Sequence, residues 1–177
     1  MNAPAGERHI YGMAPEIRCT LLALYIALVL PLPLMAPDGW RFPVWLALAL
    51  GLVLVLAITS EQVILDGEGV RTTHPAWCHW LIRLGWDLQW GQVKDLTPVA
   101  TSQGGRVFYV RTAGEGRSYL LPQRVQHFAE FLSTFSTYSG ISTDSVARIT
   151  PPLTYQLLAV MSASMIVGEV ISLAKLR

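Results

Sequence analysis

The sequence predicts a membrane α-helical protein with three helices and an α+β extramembrane domain, whose antiparallel sheet is closed by one helix. Three features predict it: two apolar runs with a short polar break between them, a third apolar run further along, and an intervening stretch that alternates with the period of β-strands. Only 14% of the 177 residues are charged, whereas an ordinary soluble domain carries about 25%. A formal net charge of +1 spread over scattered Lys and Arg does not suit phosphate neutralisation, which excludes nucleic acid as a partner.

Cys19 to Met35 and Phe42 to Thr59 hold no charged side chain. At a rise of about 1.5 Å per residue each run reaches roughly 26 Å as a helix, close to the hydrocarbon thickness of a bilayer. The break between them, Ala36-Pro37-Asp38-Gly39-Trp40-Arg41, combines a turn sequence with an interfacial Trp and one positive charge. Residues 19–59 therefore read as a transmembrane hairpin, with Pro31 and Pro33 ending or kinking its first helix. Cleavage as a signal peptide is not expected, because Leu34-Met35-Ala36 lacks the small-x-small pattern. Small residues four apart, Ala23 with Ala27 and Ala47 with Gly51, either let the two helices approach closely or arise by chance in Ala- and Leu-rich sequence.

Residues 1–18 mix Gly, Pro and charges without periodicity and read as an N-terminal arm, mobile or bound to a partner, with His9 and Tyr11 as surface residues rather than ligands. Residues 153–173 form a third apolar run with Glu169 its single charge, and Ser164 and Gly168 give it a close-packing pair. Residues 141–152 link it to the preceding domain and 174–177 form a basic tail. Ten of the thirteen Lys and Arg fall in the N-terminal arm, the middle domain and the linker after it, which the positive-inside rule puts in the cytoplasm.

In the domain over 60–140, Gln62-Val63-Ile64-Leu65, the turn Asp66-Gly67-Glu68-Gly69 and Val70-Arg71-Thr72-Thr73 read as a hairpin. Trp86 to Trp90 alternates as a half-buried strand, continued by Val93, Leu96 and Val99 with Pro98 at an edge. Arg106–Arg111 and Ser118–Leu121 form a second hairpin, giving about five strands. From Gln123 to Tyr138 the spacing of Val125, Phe128, Leu132 and Phe135 becomes helical, and Gly140 caps the helix.

His74, Cys78 and His79 lie within six residues, too few ligands for a zinc site when Cys19 and His127 are the nearest others. The same stretch, with Trp77 and Trp80, reads better as a loop or short amphipathic helix at a membrane interface. Glu169, an intramembrane acid, is a proton site, a partner for a charge elsewhere, or a carboxyl that snorkels or stays protonated. Arg106, Arg111, Arg117 and Arg124 are candidates for lipid or partner contact, although residues 60–150 balance eight basic against eight acidic side chains. No activated nucleophile, phosphate-binding Gly loop or paired carboxylate is legible, so neither catalysis nor a cofactor is expected.

An apolar hairpin, a strand-rich domain with the segment Trp90-Gly91-Gln92-Val93-Lys94-Asp95-Leu96, and one closing helix resemble the membrane-anchored bacterial pleckstrin-homology-like domains. That resemblance implies a bent antiparallel sheet plugged by the helix. The layout is also similar to that of the photosystem I assembly factor of cyanobacteria and chloroplasts, which implies an assembly role in photosynthesis and a thylakoid setting. The expected function is a non-enzymatic binding, assembly or accessory subunit of a larger membrane protein complex, in contact with membrane lipids, in a bacterial inner or thylakoid membrane. The alternatives are a proton-coupled transport accessory using Glu169 and a lipid-sensing anchored domain.

Overall fold

The computed structural model describes residues 8–82, 85–102, 106–114, 116–146 and 152–175. They fall into two compact units: Met1–Ala14 with Ser60–Thr150, and Pro15–Thr59 with Pro151–Arg177.

The first unit is α+β, with two antiparallel sheets and one helix. β1 (His9–Gly12), β2 (Gln62–Leu65), β3 (Gly69–Thr73) and β4 (Asp87–Gln89) pair in that order, and β5 (Val93–Ala100), β6 (Arg106–Thr112) and β7 (Ser118–Leu120) make the second sheet. Among the described residues seven strands replace the five or so expected. The stretch read as a surface arm supplies β1, with Gly12 opposite Gln62 and His9 opposite Leu65. Its periodicity is hidden because the strand is four residues long and its partner lies about fifty residues away. Tyr11, expected at the surface, is 3% exposed. Its hydroxyl bonds Thr134 Oγ1 at 3.1 Å and Glu130 Oε1 at 3.3 Å, and burial pushes the phenol's pKa up.

The turn from β2 to β3 is held by Asp66, whose Oδ1 accepts from the Glu68 and Gly69 amides, both at 3.0 Å. Gly69 is required there, since a Cβ would collide with the Leu88 carbonyl of β4. Val93 does not prolong β4: a 3-10 turn at Trp90–Gln92 intervenes, and β5 belongs to the other sheet. Trp90 fixes that turn by donating its Nε1–H to the Asp66 carbonyl at 2.7 Å.

The closing helix α4 (Phe128–Ser139) starts later than its spacing suggested. Residues before it stay extended: Met13 bridges Val125, and the Ala14 and Gln126 amides donate to the Arg124 and Gly12 carbonyls, both at 2.8 Å. His127, with φ 48°, then turns the chain into the helix. α4 buries Phe128, Phe131, Leu132 and Phe135 against Tyr11, Val63, Leu65, Val70, Phe108 and Val110, and Gly140 at φ 71° ends it.

The second unit is helical: α1 (Pro15–Val29), α2 (Pro31–Met35), α3 (Arg41–Ile58) and α5 (Pro152–Lys175). Pro31 and Pro33 separate α1 from α2, as ring clash and a missing N–H require. Three helical stretches, Pro15–Met35, Asp38–Ile58 and Thr154–Ser172, are long and apolar enough to cross a membrane. α1 packs on both α3 and α5. The close approach of α1 to α3 is not Ala against Ala: Ala47 is exposed, and Gly51 instead makes room for Tyr25, whose hydroxyl donates to the Leu48 carbonyl at 2.7 Å. A half-buried aromatic hydroxyl finds a partner in the backbone that the glycine uncovers. On α5 the buried small residue is Ser162, its hydroxyl turned back to the Leu158 carbonyl at 2.8 Å, whereas Ser164 and Gly168 are both exposed.

Candidate functional site

Strand register defines one end of the first unit. Gly12, Gln62 and Thr73 are aligned across β1, β2 and β3, so Met13, Glu61 and His74 come next in each chain segment. This is the end where the chain runs on into α1, two residues beyond Met13, and returns from α3, three residues before Glu61. Residues 121–125 close the same end through the Met13–Val125 bridge.

A cleft of about 220 Å³ opens there, lined by Met13, Glu61, Val63, Val107, Leu121 and Arg124 among others. Its floor is apolar, with Val63 and Leu121 each 1% exposed. Burial pushes the Glu61 carboxyl above the usual carboxylate range, against the opposing pull of His74 and Arg124. His74 is 7% exposed and its Nδ1 has no hydrogen-bond partner among the described residues. It also borders a second recess of about 290 Å³ with Arg71, His79, Ile82 and Asp87.

The connection from β3 to β4 leaves from this end and carries the Trp-rich stretch. Residues 75–82 coil into helical turns: the Cys78 and His79 amides donate to the Pro75 carbonyl at 3.1 and 3.0 Å, and Ile82 to the Cys78 carbonyl at 3.0 Å. Cys78 and Ile82, four apart, are 1% and 8% exposed, whereas Trp77, Trp80 and Leu81 are 49%, 73% and 42% exposed. The turns are thus amphipathic, with one face anchored and three large apolar side chains outward. Trp80 Nε1–H donates to the Trp77 carbonyl at 3.0 Å, which ties the Trp80 indole to the backbone of the turn. The Cys78 thiol faces the Pro75 carbonyl at 3.5 Å. Among the described residues no three His, Cys, Asp or Glu side chains stand where a metal could be held.

The four arginines adjacent in sequence do not form one patch. Arg106, at the start of β6, is tied to this end by Gln123 Nε2, which donates to its carbonyl at 3.4 Å, and Arg124 borders the cleft. Arg111 and Arg117 lie at the other end of β6, roughly 20 Å away along a seven-residue strand. There they share a recess of about 410 Å³ with Lys94, and Arg111 pairs with Asp95 at 4.0 Å. Neither Arg106 nor Arg124 enters an ion pair among the described residues. In the second unit, Glu169 Oε2 is buried without a hydrogen-bond partner among the described residues.

Sequence reasoning missed Glu61. Its only local signal is that it is the first charge after an apolar run, and what buries it is a segment sixty residues on.

These features define an α+β protein joined to three helices apolar enough to span a membrane. No family model matches the chain. The uncharacterised Synechocystis protein slr0269 is 38% identical to it over 157 residues, covering 86% of this chain and 79% of that protein. The chain belongs to the family of that cyanobacterial protein.

Proposed function

We propose that this is a non-enzymatic integral membrane protein in which three spanning helices carry a pleckstrin-homology-like domain, and that it serves as a binding, assembly or accessory subunit of a larger membrane protein complex. The observation that carries the reading is uncovered apolar helix surface. Phe42, Trp45, Leu50 and Leu54 on α3, and Leu157, Met161, Met165 and Val170 on α5, are all exposed. Surface of that extent is covered by lipid or by another protein. Ser164 and Gly168 add small residues to the uncovered surface of α5.

Four strands, three strands and one closing helix, in that order, support the pleckstrin-homology-like reading, with the hairpin inserted between the first and second strands. The cyanobacterial relative fits a bacterial inner or thylakoid membrane, and the Lys and Arg distribution supports a cytoplasmic position for the first unit. The test is gentle solubilisation of the tagged protein from its native membrane, followed by mass spectrometry of what co-purifies. A stoichiometric set of membrane subunits is the expected result; a monomer recovered alone overturns the assembly role.

A second reading uses Glu169, whose buried oxygen, without a hydrogen-bond partner among the described residues, fits a proton site in an accessory subunit. Unchanged proton-coupled activity of a complex carrying Glu169→Gln eliminates it.

A further inference from the structure

We infer that the end of the first unit bearing Trp77, Trp80, Leu81, Arg106 and Arg124 docks on the headgroup layer of the bilayer and selects anionic phospholipid. The inference rests on the proposed membrane reading and adds to it the part of the extramembrane unit that meets lipid and the class of lipid it prefers.

Three independent observations converge on this end. The chain passes there into α1 and out of α3, so Met13 and Glu61 lie within about 10 Å of chain length of apolar helices. The β3–β4 connection emerges at the same end, with Cys78 and Ile82 buried and two indoles and a leucine outward. An amphipathic turn that exposes Trp and Leu suits the depth where headgroups meet acyl chains, since an indole has an apolar body and a polar N–H. Finally, Arg106 and Arg124 have no carboxylate within ion-pair distance among the described residues, whereas Arg71 meets Asp66 and Asp87, and Arg111 meets Asp95. Two arginines without an ion pair among the described residues thus lie on the end that carries the indoles, Arg124 within electrostatic reach of the Glu61 carboxyl there. The headgroup of phosphatidylglycerol or a similar lipid, whose phosphate charge is not offset by a choline cation, complements them.

The experiment uses the full chain reconstituted in vesicles of phosphatidylcholine with a minor fraction of phosphatidylglycerol. Either lipid carries bromine high on its acyl chain, where it quenches nearby tryptophan emission. Subtracting the signal of the Trp77→Phe/Trp80→Phe variant isolates the two outward indoles from Trp40 and Trp45, which report on the hairpin. The expected result is quenching of the Trp77 and Trp80 component, stronger with brominated phosphatidylglycerol than with brominated phosphatidylcholine at equal mole fraction. The local excess is roughly fivefold per arginine. It shrinks in Arg106→Gln/Arg124→Gln and in concentrated salt, which screens the attraction. Quenching of Trp40 and Trp45 without Trp77 and Trp80 overturns the docking face while leaving the membrane reading intact. Equal quenching by both lipids overturns the anionic preference. No quenching of any tryptophan overturns the membrane reading itself.

Discussion

α4 and α3 use the same kinds of side chain in opposite ways. In α4 the phenylalanines and Leu132 turn inward while Glu130 and Ser133 face solvent, so apolar spacing is visible along the helix. In α3 apolar residues run all round, and Phe42, Leu46, Leu50, Val53 and Leu54 remain exposed with Ala57 fully buried. A helix writes a periodic pattern only when its two sides meet different media. The difference between α4 and α3 therefore reports what surrounds each, rather than which of them packs better.

The comparison breaks most visibly in the core of the first unit. Phe131 is fully buried between Tyr11, Phe128 and Phe135, and Phe131→Ala is expected to cost about 3–5 kcal/mol. Denaturant titration followed by tryptophan emission measures it, and a loss well under 1 kcal/mol denies Phe131 its central place. Next in size is the same change made at two exposed sites, Leu50 on α3 and Val99 on β5, which are 62% and 44% exposed. If lipid covers α3, Leu50→Arg raises the free energy of membrane insertion by about 3–4 kcal/mol, whereas Val99→Arg shifts stability by about 0.5 kcal/mol or less. A glycosylation-based insertion assay for the first and an unfolding curve for the second decide it; equal small effects leave α3 in water.

Within the helical unit, Gly51→Ala forces the Tyr25 ring away and breaks its bond to Leu48, at a cost of about 1–3 kcal/mol. Adding Tyr25→Phe removes the nearest clashing atom and restores part of the loss, read by detergent titration of helix association. The smallest effect concerns Glu61. A carboxyl whose folded pKa lies above its unfolded one binds more protons when folded, so stability falls as pH rises through the interval between the two. Glu61→Gln removes that dependence: the variant gains on the wild type as pH rises above the ordinary Glu range and loses the advantage below it. Thermal melts across that pH interval that run parallel for both proteins contradict the burial of Glu61.

The apolar helices, the β2–β3 hairpin and the Gly140 cap were legible because each is written in neighbouring residues. β1 was not, being four residues paired across an inserted helical hairpin. The arginine cluster misled for the complementary reason. Four arginines close in sequence sit at two ends of one strand, since a strand carries its ends apart by about 3.3 Å per residue.

By itself the sequence determined the apolar helices, the α+β character of the intervening stretch and the indole pair of the β3–β4 connection. Hydropathy, turn chemistry and helix breaking act over a few residues, and a single chain records them. Only the tertiary structure decided that Tyr11 is core, that Gly51 answers Tyr25, and that Glu61, His74 and Arg124 come to the end of the first unit from which the β3–β4 connection leaves. Those juxtapositions depend on register between segments far apart in the chain, and no local physical signal encodes which distant strand a short one will pair with.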